Sequence, residues 1–379
     1  MQLFWLEFKK IFSWKLLLLL GVVNFLLFNL LLSFHLEHFP NGRPQTDVFA
    51  IEQKLIPLYG AEISEEELQE IKSMYEDRVK IADELVANDP EAEELNLANY
   101  EDLVAYNDAQ EGLSEYFDQL LYGKGEQILW ELQGWEGLIE NYEFQADSLA
   151  AQVAQNTGAQ KEYFQNRIDN EVYSFYSDTV TMNFKDYKTN MAIIIWINVA
   201  ILLSLVYFRD TRAKLVPLQY SSQHGRNVYR TKWWASLAAT TTLVVTLVAV
   251  YMALYWTNGT ASHLQLPLSS FGWYDHWYDM TFLQYMLLSI GLIVLFAFGV
   301  AVLSLSLSTI APNAVVLIGT QILLFFVMIA GVSTYLIRDM ILLWNAPLLT
   351  PLATSLFVVV IIVLAWLIWK REIKRDFMN

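Results

Sequence analysis

Residues 16–34, LLLLLGVVNFLLFNLLLSF, run without one charged side chain. A hydrocarbon core about 30 Å thick takes about 20 helical residues to cross, and this stretch is long enough. In lipid the backbone must satisfy its own hydrogen bonds, so the stretch is a helix. No small-residue cleavage site follows, since Ser33, Phe34, His35, Leu36 and Glu37 come next, so it reads as a retained span rather than a signal peptide. Five more stretches have the same character: 191–208, 233–256, 281–307, 313–337 and 348–369. Their interiors hold no Lys, Arg, Asp or Glu, and none alternates as a barrel strand would.

Composition agrees. The 379 residues are 55% hydrophobic and 17% charged, where soluble domains carry roughly 25% charge. That excludes a single water-soluble enzyme. A net charge of −16 argues against nucleic acid as a partner. With no cysteine, disulfide scaffolds and thiolate metal sites are excluded. Residues 35–190 hold 33 of the 40 acidic residues but 10 of the 24 basic ones. An acidic domain is thus inserted between the first and second spans.

Lysine and arginine in the short loops set orientation. They collect at Lys9, Lys10 and Lys15, at Arg209, Arg212, Lys214, Arg226, Arg230 and Lys232, and at Lys370, Arg371, Lys374 and Arg375. Loop 257–280 has none, and 338–347 has Arg338 alone. Six spans with both termini cytoplasmic satisfy this pattern and put the acidic domain and loop 257–280 outside. The expected fold is an all-α membrane protein, six transmembrane helices with an inserted helical extracytoplasmic domain. Its parts are an interfacial helix at 1–15, span 1 at 16–34, the acidic domain at 35–190, span 2 at 191–208, a cytoplasmic loop at 209–232, spans 3–6 within 233–369, and a basic tail at 370–379.

Inside the acidic domain, Ser64 with Glu67 forms a capping box ahead of the stripe Leu68, Ile71, Tyr75, Ala82, Leu85, which Asn88, Asp89 and Pro90 stop. A second stripe is Ile128, Leu132, Trp135, Ile139, Tyr142, weakened by Gly134 and Gly137. A third, Ile168, Val172, Phe175, Thr179, Met182, is expected to run straight into the second span.

Chemistry-bearing patterns are sparse. No GxxxxGK[ST] loop occurs; Gly123, Lys124 and Gly125 are the nearest fragment, so this chain holds no ATP by that route. His35, Glu37 and His38 suit either a metal or polar residues leaving the membrane. Asp275, His276 and Asp279 lie in the aromatic run 271–278, a ligand surface or an interfacial belt. Glu65, Glu66, Glu67, Glu91, Glu93 and Glu94 could attract cations or be solvated faces, and no calcium-loop spacing appears. Within the spans the polar side chains are amides and hydroxyls. Asn24, Asn29, Asn198, Gln284 and Gln321 are candidates for a substrate pathway or for hydrogen bonds between helices. Without mid-membrane carboxylates, an ion-driven pump loses ground, and energy would have to come from another subunit. Residues 2–15 form an amphipathic helix with Phe4, Phe8, Ile11 and Phe12 on one face, resting on membrane lipid. Loop 209–232 offers charge either to a partner or simply to the positive-inside pattern.

Leu6 to Ile11 (with Glu7), Arg209–Asp210, Gln223–His224–Gly225–Arg226 with Lys232, and Ser304 to Ser308 ahead of Ala311–Pro312–Asn313 together resemble the ABC-2 family of ATP-binding-cassette permeases, in the subgroup with a large outer domain after the first span. Asp210 is the one acidic residue soon after the second span, where that family usually shows more. The resemblance implies a permease of a bacterial plasma membrane, paired with a second copy or a relative. A cytoplasmic ATPase subunit carrying ATP and Mg would drive it. Glu7, Arg209, Asp210, Arg212, His224, Arg226, Arg230 and Lys232 would dock that ATPase. The substrate would be an amphipathic peptide, a lipid-like compound or a drug. This chain would have no catalytic residue, metal or cofactor of its own. A sensor or scaffold with an outer ligand domain is the second reading. A membrane enzyme using Asp275, His276, Asp279, Arg338 or Asp339 is the third.

Overall fold

The computed structural model describes every residue except Met1, 106–111, 221–224, 226, 273–274 and 375–379, with backbone alone at 219–220. His224, Arg226, Arg375, Gln223, Trp273 and Tyr274 therefore lie outside the described residues. Among those described there is no strand, and six helices are long and apolar enough to cross a membrane: Trp14–Leu32, Thr179–Arg212, Asn227–Asn258, Phe282–Ile310, Ala314–Arg338 and Leu349–Lys374. The chain divides into two compact units. One, the span unit, comprises Met1–Glu37, Asn183–Gly259 and Leu283–Asn379. The other, the acidic unit, comprises His38–Met182 and Thr260–Phe282.

In the span unit the second and fourth spans are central. The apolar window of the second is 67% buried and that of the fourth 44%, against 11% and 6% for the fifth and sixth. The sixth span is registered against the fourth at one notch. Phe296 and Phe357 pack edge to face at 4.9 Å between centroids, and a Cβ at Gly299 would overlap the Phe357 ring. The amino-terminal helix Gln2–Ile11 ends at an elbow where the Ser13 carbonyl accepts from Leu16 N and Leu17 N. The span therefore starts at Trp14 rather than 16.

The second span departs most from its sequence reading. Its helix starts at Thr179, not 191, and so takes in Lys185, Asp186 and Lys188, which the sequence assigned to the acidic domain. It is interrupted at 204–207 without a proline. Backbone groups freed inside a bundle need partners, and Ser308 Oγ supplies one, accepting from Tyr207 N at 3.0 Å and Phe208 N at 3.1 Å. Short helices Phe208–Arg212 and Leu215–Tyr220 follow. Ser304 to Ser308 lie within the fourth helix, and the turn itself is 311–313, where Asn313 Oδ1 caps the fifth span by accepting from Val316 N at 2.9 Å. The first and fifth spans close in π-helical turns, Phe28–Leu32 and Met328–Arg338. Asn190 Nδ2 meets one carbonyl there, donating to Leu31 O at 2.9 Å.

The acidic unit is helical. The box at Ser64 is present in both halves and opens helix Glu65–Ala87; Asp89 then caps Pro90–Glu94. Helix Gln127–Glu143 forms despite its glycines, and Gly134 has a use. A Cβ there would meet Val48 N at 3.3 Å, so its absence lets helix Gln45–Tyr59 approach closely. The third stripe is not one helix. Helix Gly158–Asp169 stops, Glu171 takes a positive φ, and residues 172–177 are not helical before Thr179. Pairing overrides the helical period: Tyr176 N donates to Ser270 O at 3.0 Å, and Gly272 N donates to Tyr176 O at 2.8 Å. Segment Thr260–Phe282, expected as a separate loop, is thereby built into the acidic unit.

Between helices Glu65–Ala87 and Gln127–Glu143, Arg78 grips Glu131 with two bonds, 3.0 and 2.6 Å. Burial is the largest single influence and pushes the Glu131 carboxyl up, but the bonds and charge of Arg78, together with smaller contributions such as the charge of Lys54, hold the carboxyl below its ordinary value. A carboxyl lowered on folding adds stability above its unfolded pKa, about 4.3, and that stability is lost as pH falls through the folded value. Glu131→Gln should cost about 1 kcal/mol at neutral pH, since Arg78 is partly solvent-screened. The difference from wild type should vanish in acid, read by chemical unfolding of the full chain at several pH values. A pH-independent difference would remove the assignment.

Candidate functional site

Four charges gather where the amino-terminal helix, the end of the second span and the start of the third meet. Lys232 Nζ pairs with Asp210 Oδ2, and Lys10 Nζ reaches Asp210 Oδ1 at 3.1 Å. Glu7 stands 4.0 Å from both lysines. Asp210 and Lys232 are only 2% exposed. Glu7, Asp210 and Lys232, expected on a docking face, thus form an internal clasp that holds the amino-terminal helix to the spans. Arg212 and Arg230 remain exposed, the latter 5.3 Å from the Trp369 ring centroid. Arg209 is also exposed and lines a crevice beside the elbow. We call this the basic end of the span unit.

A groove of about 310 Å³ opens between the second and fifth spans. Ile197, Ala200 and Ile201 form one wall, and Ile318, Ile322, Phe325, Phe326 and Ile329 the other. Its one amide is Gln321, whose Nε2 donates to Ser204 Oγ at 3.0 Å, beside the interruption of the second span. Apolar walls with few placed polar groups are the usual make-up of a ligand site, and the volume falls at the lower end of the common range, about 300–1,000 Å³.

The other four amides do different work. Asn24 Nδ2 donates to Asn198 Oδ1 at 2.6 Å, and Tyr251 OH donates to Asn24 Oδ1 at 2.7 Å, joining the first three spans. Asn29 bonds its own helix at Phe25 O, and Gln284 is exposed. Of the five, Gln321 alone lines the groove.

Sequence reasoning missed a second charged junction at the other end of the second span. Lys185 pairs with Asp339 at 2.7 Å and Arg338 Nε donates to Asp186 Oδ1 at 3.0 Å. Below them Lys188 is fully buried; its Nζ donates to Ser289 Oγ at 3.2 Å and lies 3.9 Å from the Tyr285 ring centroid. The signal was Lys185, Asp186 and Lys188 within two turns of the apolar run. A helix boundary drawn at the last charge hid it.

His35 is bound by asparagines: Nδ1 faces Asn183 Oδ1 and Nε2 faces Asn190 Nδ2, each at 3.2 Å. An amide donor at Nε2 puts the proton on Nδ1, the neutral tautomer. Among the described residues no group of His, Asp and Glu is arranged to hold a metal.

In the acidic unit, Arg167 Nη1 donates to Asp275 Oδ1 at 2.7 Å. Burial pushes the Asp275 carboxyl up against the pull of Arg167, and burial and Asp275 push the Tyr163 hydroxyl up to about 12. Asp279 accepts from Ser269 N and Oγ. Asp275, Asp279, Arg338 and Asp339 are thus each held by partners within the fold.

The acidic unit also holds a wholly buried pair. Glu52 Oε2 faces His263 Nε2 at 3.2 Å, and Glu52 Oε1 accepts from Ser177 N at 2.5 Å. Phe49 stacks on the imidazole at 5.5 Å and Phe271 lies against it at 6.2 Å. Ser262 Oγ spends its proton on Gln53 Oε1, so it accepts from His263 Nδ1. Both ring nitrogens are thus engaged, one by Glu52 and the other by Ser262. No protein-family model, no curated protein and no solved structure matches this chain.

Proposed function

We propose that this protein is the permease subunit of an ATP-driven exporter of the ABC-2 type, paired with a second permease. It would reside in a bacterial plasma membrane, with both termini cytoplasmic and the acidic unit outside. The groove between the second and fifth spans carries the reading. It is open to the side, apolar, and footed by the Gln321–Ser204 pair next to an interrupted helix. Such a groove takes an amphipathic substrate, its apolar part on Ile318, Ile322 and Phe326 and a polar group at Gln321. The chain has no GxxxxGK[ST] loop, so a cytoplasmic ATPase subunit would hold ATP and Mg and meet Arg212 and Arg230. Because the clasp ties Asp210 to the amino-terminal helix, movement at the short helices 208–220 would reach the groove through residues 204–207.

The test is affinity purification from native membranes. An ATPase subunit should co-elute, and Arg212→Glu with Arg230→Glu should reduce it without changing membrane insertion. Ile322→Trp, filling the groove, should lower ATP-driven transport at least ten-fold while the ATPase still co-elutes. Lys188 favours a second reading, an ion-coupled carrier, because ionisable groups buried among spans mark ion and proton routes. Gradient-driven uptake by the isolated chain without nucleotide would select that reading and end the first.

A further inference from the structure

The elbow at the basic end has a crevice that shares only Ile201 with the groove between the second and fifth spans. It lies between the end of helix Gln2–Ile11, the start of the first span and the second span. Ile11, Leu16, Ile201, Leu202, Leu205 and Val206 form its apolar wall, and Glu7, Lys10 and Arg209 are its charged lining. The crevice is narrow, about 30 Å³, with room for part of one chain rather than a whole molecule.

Its charge can be reckoned from the clasp. Glu7 and Asp210 offset Lys10 and Lys232, so those four contribute nothing net. Arg209 is exposed, and its guanidinium meets no carboxylate among the described residues. It therefore sets the sign of the mouth, and the mouth attracts an anion. Aliphatic side chains run from that cation toward the middle of the second span. A small inorganic anion would leave them unused; a phosphodiester with a hydrocarbon tail would use both. Position agrees, since Trp14 is 70% exposed and Trp5 54% exposed on the two arms of the elbow, and indoles settle at the headgroup level of a bilayer.

We infer that this elbow binds one anionic phospholipid, with its phosphodiester on Arg209 and the head of an acyl chain along Leu16, Ile201 and Leu205. The inference rests on the chain crossing a membrane and not on the exporter reading, and its test measures bound lipid rather than transport. Seated there, the lipid would brace the amino-terminal helix against the second span alongside the interruption at 204–207.

The full chain would be placed in bilayer discs of phosphatidylcholine and phosphatidylglycerol with the same acyl chains, in equal amounts, then released and weighed by native mass spectrometry. One phosphatidylglycerol per chain should stay bound, preferred about five-fold, the ratio that ~1 kcal/mol per cation near an anionic surface corresponds to. Arg209→Gln should abolish the preference, with monodispersity on gel filtration showing that the variant is folded. Arg371→Gln with Lys374→Gln, which removes charge from the tail, should leave it. Glycerol phosphate should not displace the lipid. Equal retention of the two lipids by wild type would overturn the inference. So would a preference that survives Arg209→Gln, one that disappears in the tail variant, or displacement by glycerol phosphate.

Discussion

An Asp210→Ala chain should lose about 3–5 kcal/mol of stability, enough to scatter the protein on gel filtration after detergent extraction. The reason is Lys232, which is 2% exposed. Without Asp210 its nearest anion is Glu7 at 4.0 Å, and a buried charge stripped of its partner costs far more than the pair contributes. Lys10, about half exposed, can turn to water, so Lys10→Ala should cost about 1 kcal/mol or less. The discriminating variant is Asp210→Ala with Lys232→Met, which removes both charges and should recover most of the loss. Thermal melts of the three chains in one detergent would measure this. A double variant as unstable as Asp210→Ala would mean that the aspartate acts by some means other than charge.

His263→Leu should be comparably severe in the acidic unit, again about 3–5 kcal/mol. It leaves Glu52 fully buried with Ser177 N as its donor among the bonds described above. The effect should appear as faster hydrogen exchange in helix Gln45–Tyr59 and in residues 174–177, measured on the full chain. Exchange in the amino-terminal helix should not change. Pairing the substitution with Glu52→Gln should restore much of the protection, because the amide can still accept from Ser177 N without carrying charge. Unchanged exchange in His263→Leu would show that the pair adds nothing net, as some buried pairs do.

These two pairs mark the limit of what the sequence makes legible. The six spans are readable because a bilayer imposes one length and one composition on every crossing helix. The capping box at Ser64 and the stop at Asn88 are readable because their hydrogen bonds are local. Partners distant in the chain leave no local mark. Asp210 and Lys232 look like ordinary charged loop residues until the fold buries them together. Glu52 and His263, 211 positions apart, carry no pattern at all. The third stripe misleads for the same reason: its helical period is real, but Tyr176 finds its partners at residues 270–272. Of the candidate pathway residues, Gln321 keeps its place, because composition can show which side chains are polar and not which of them a neighbour has already claimed.

The notch at Gly299 has a consequence for drift among descendants of this chain. Most of the sixth span faces outward, so its residues are interchangeable with any others that lipid tolerates. Position 299 is not. Even one added methyl must push the Phe357 ring aside. Substitutions should therefore accumulate freely along 349–369 outside 357, while 299 stays glycine or changes only in company with a smaller residue at 357.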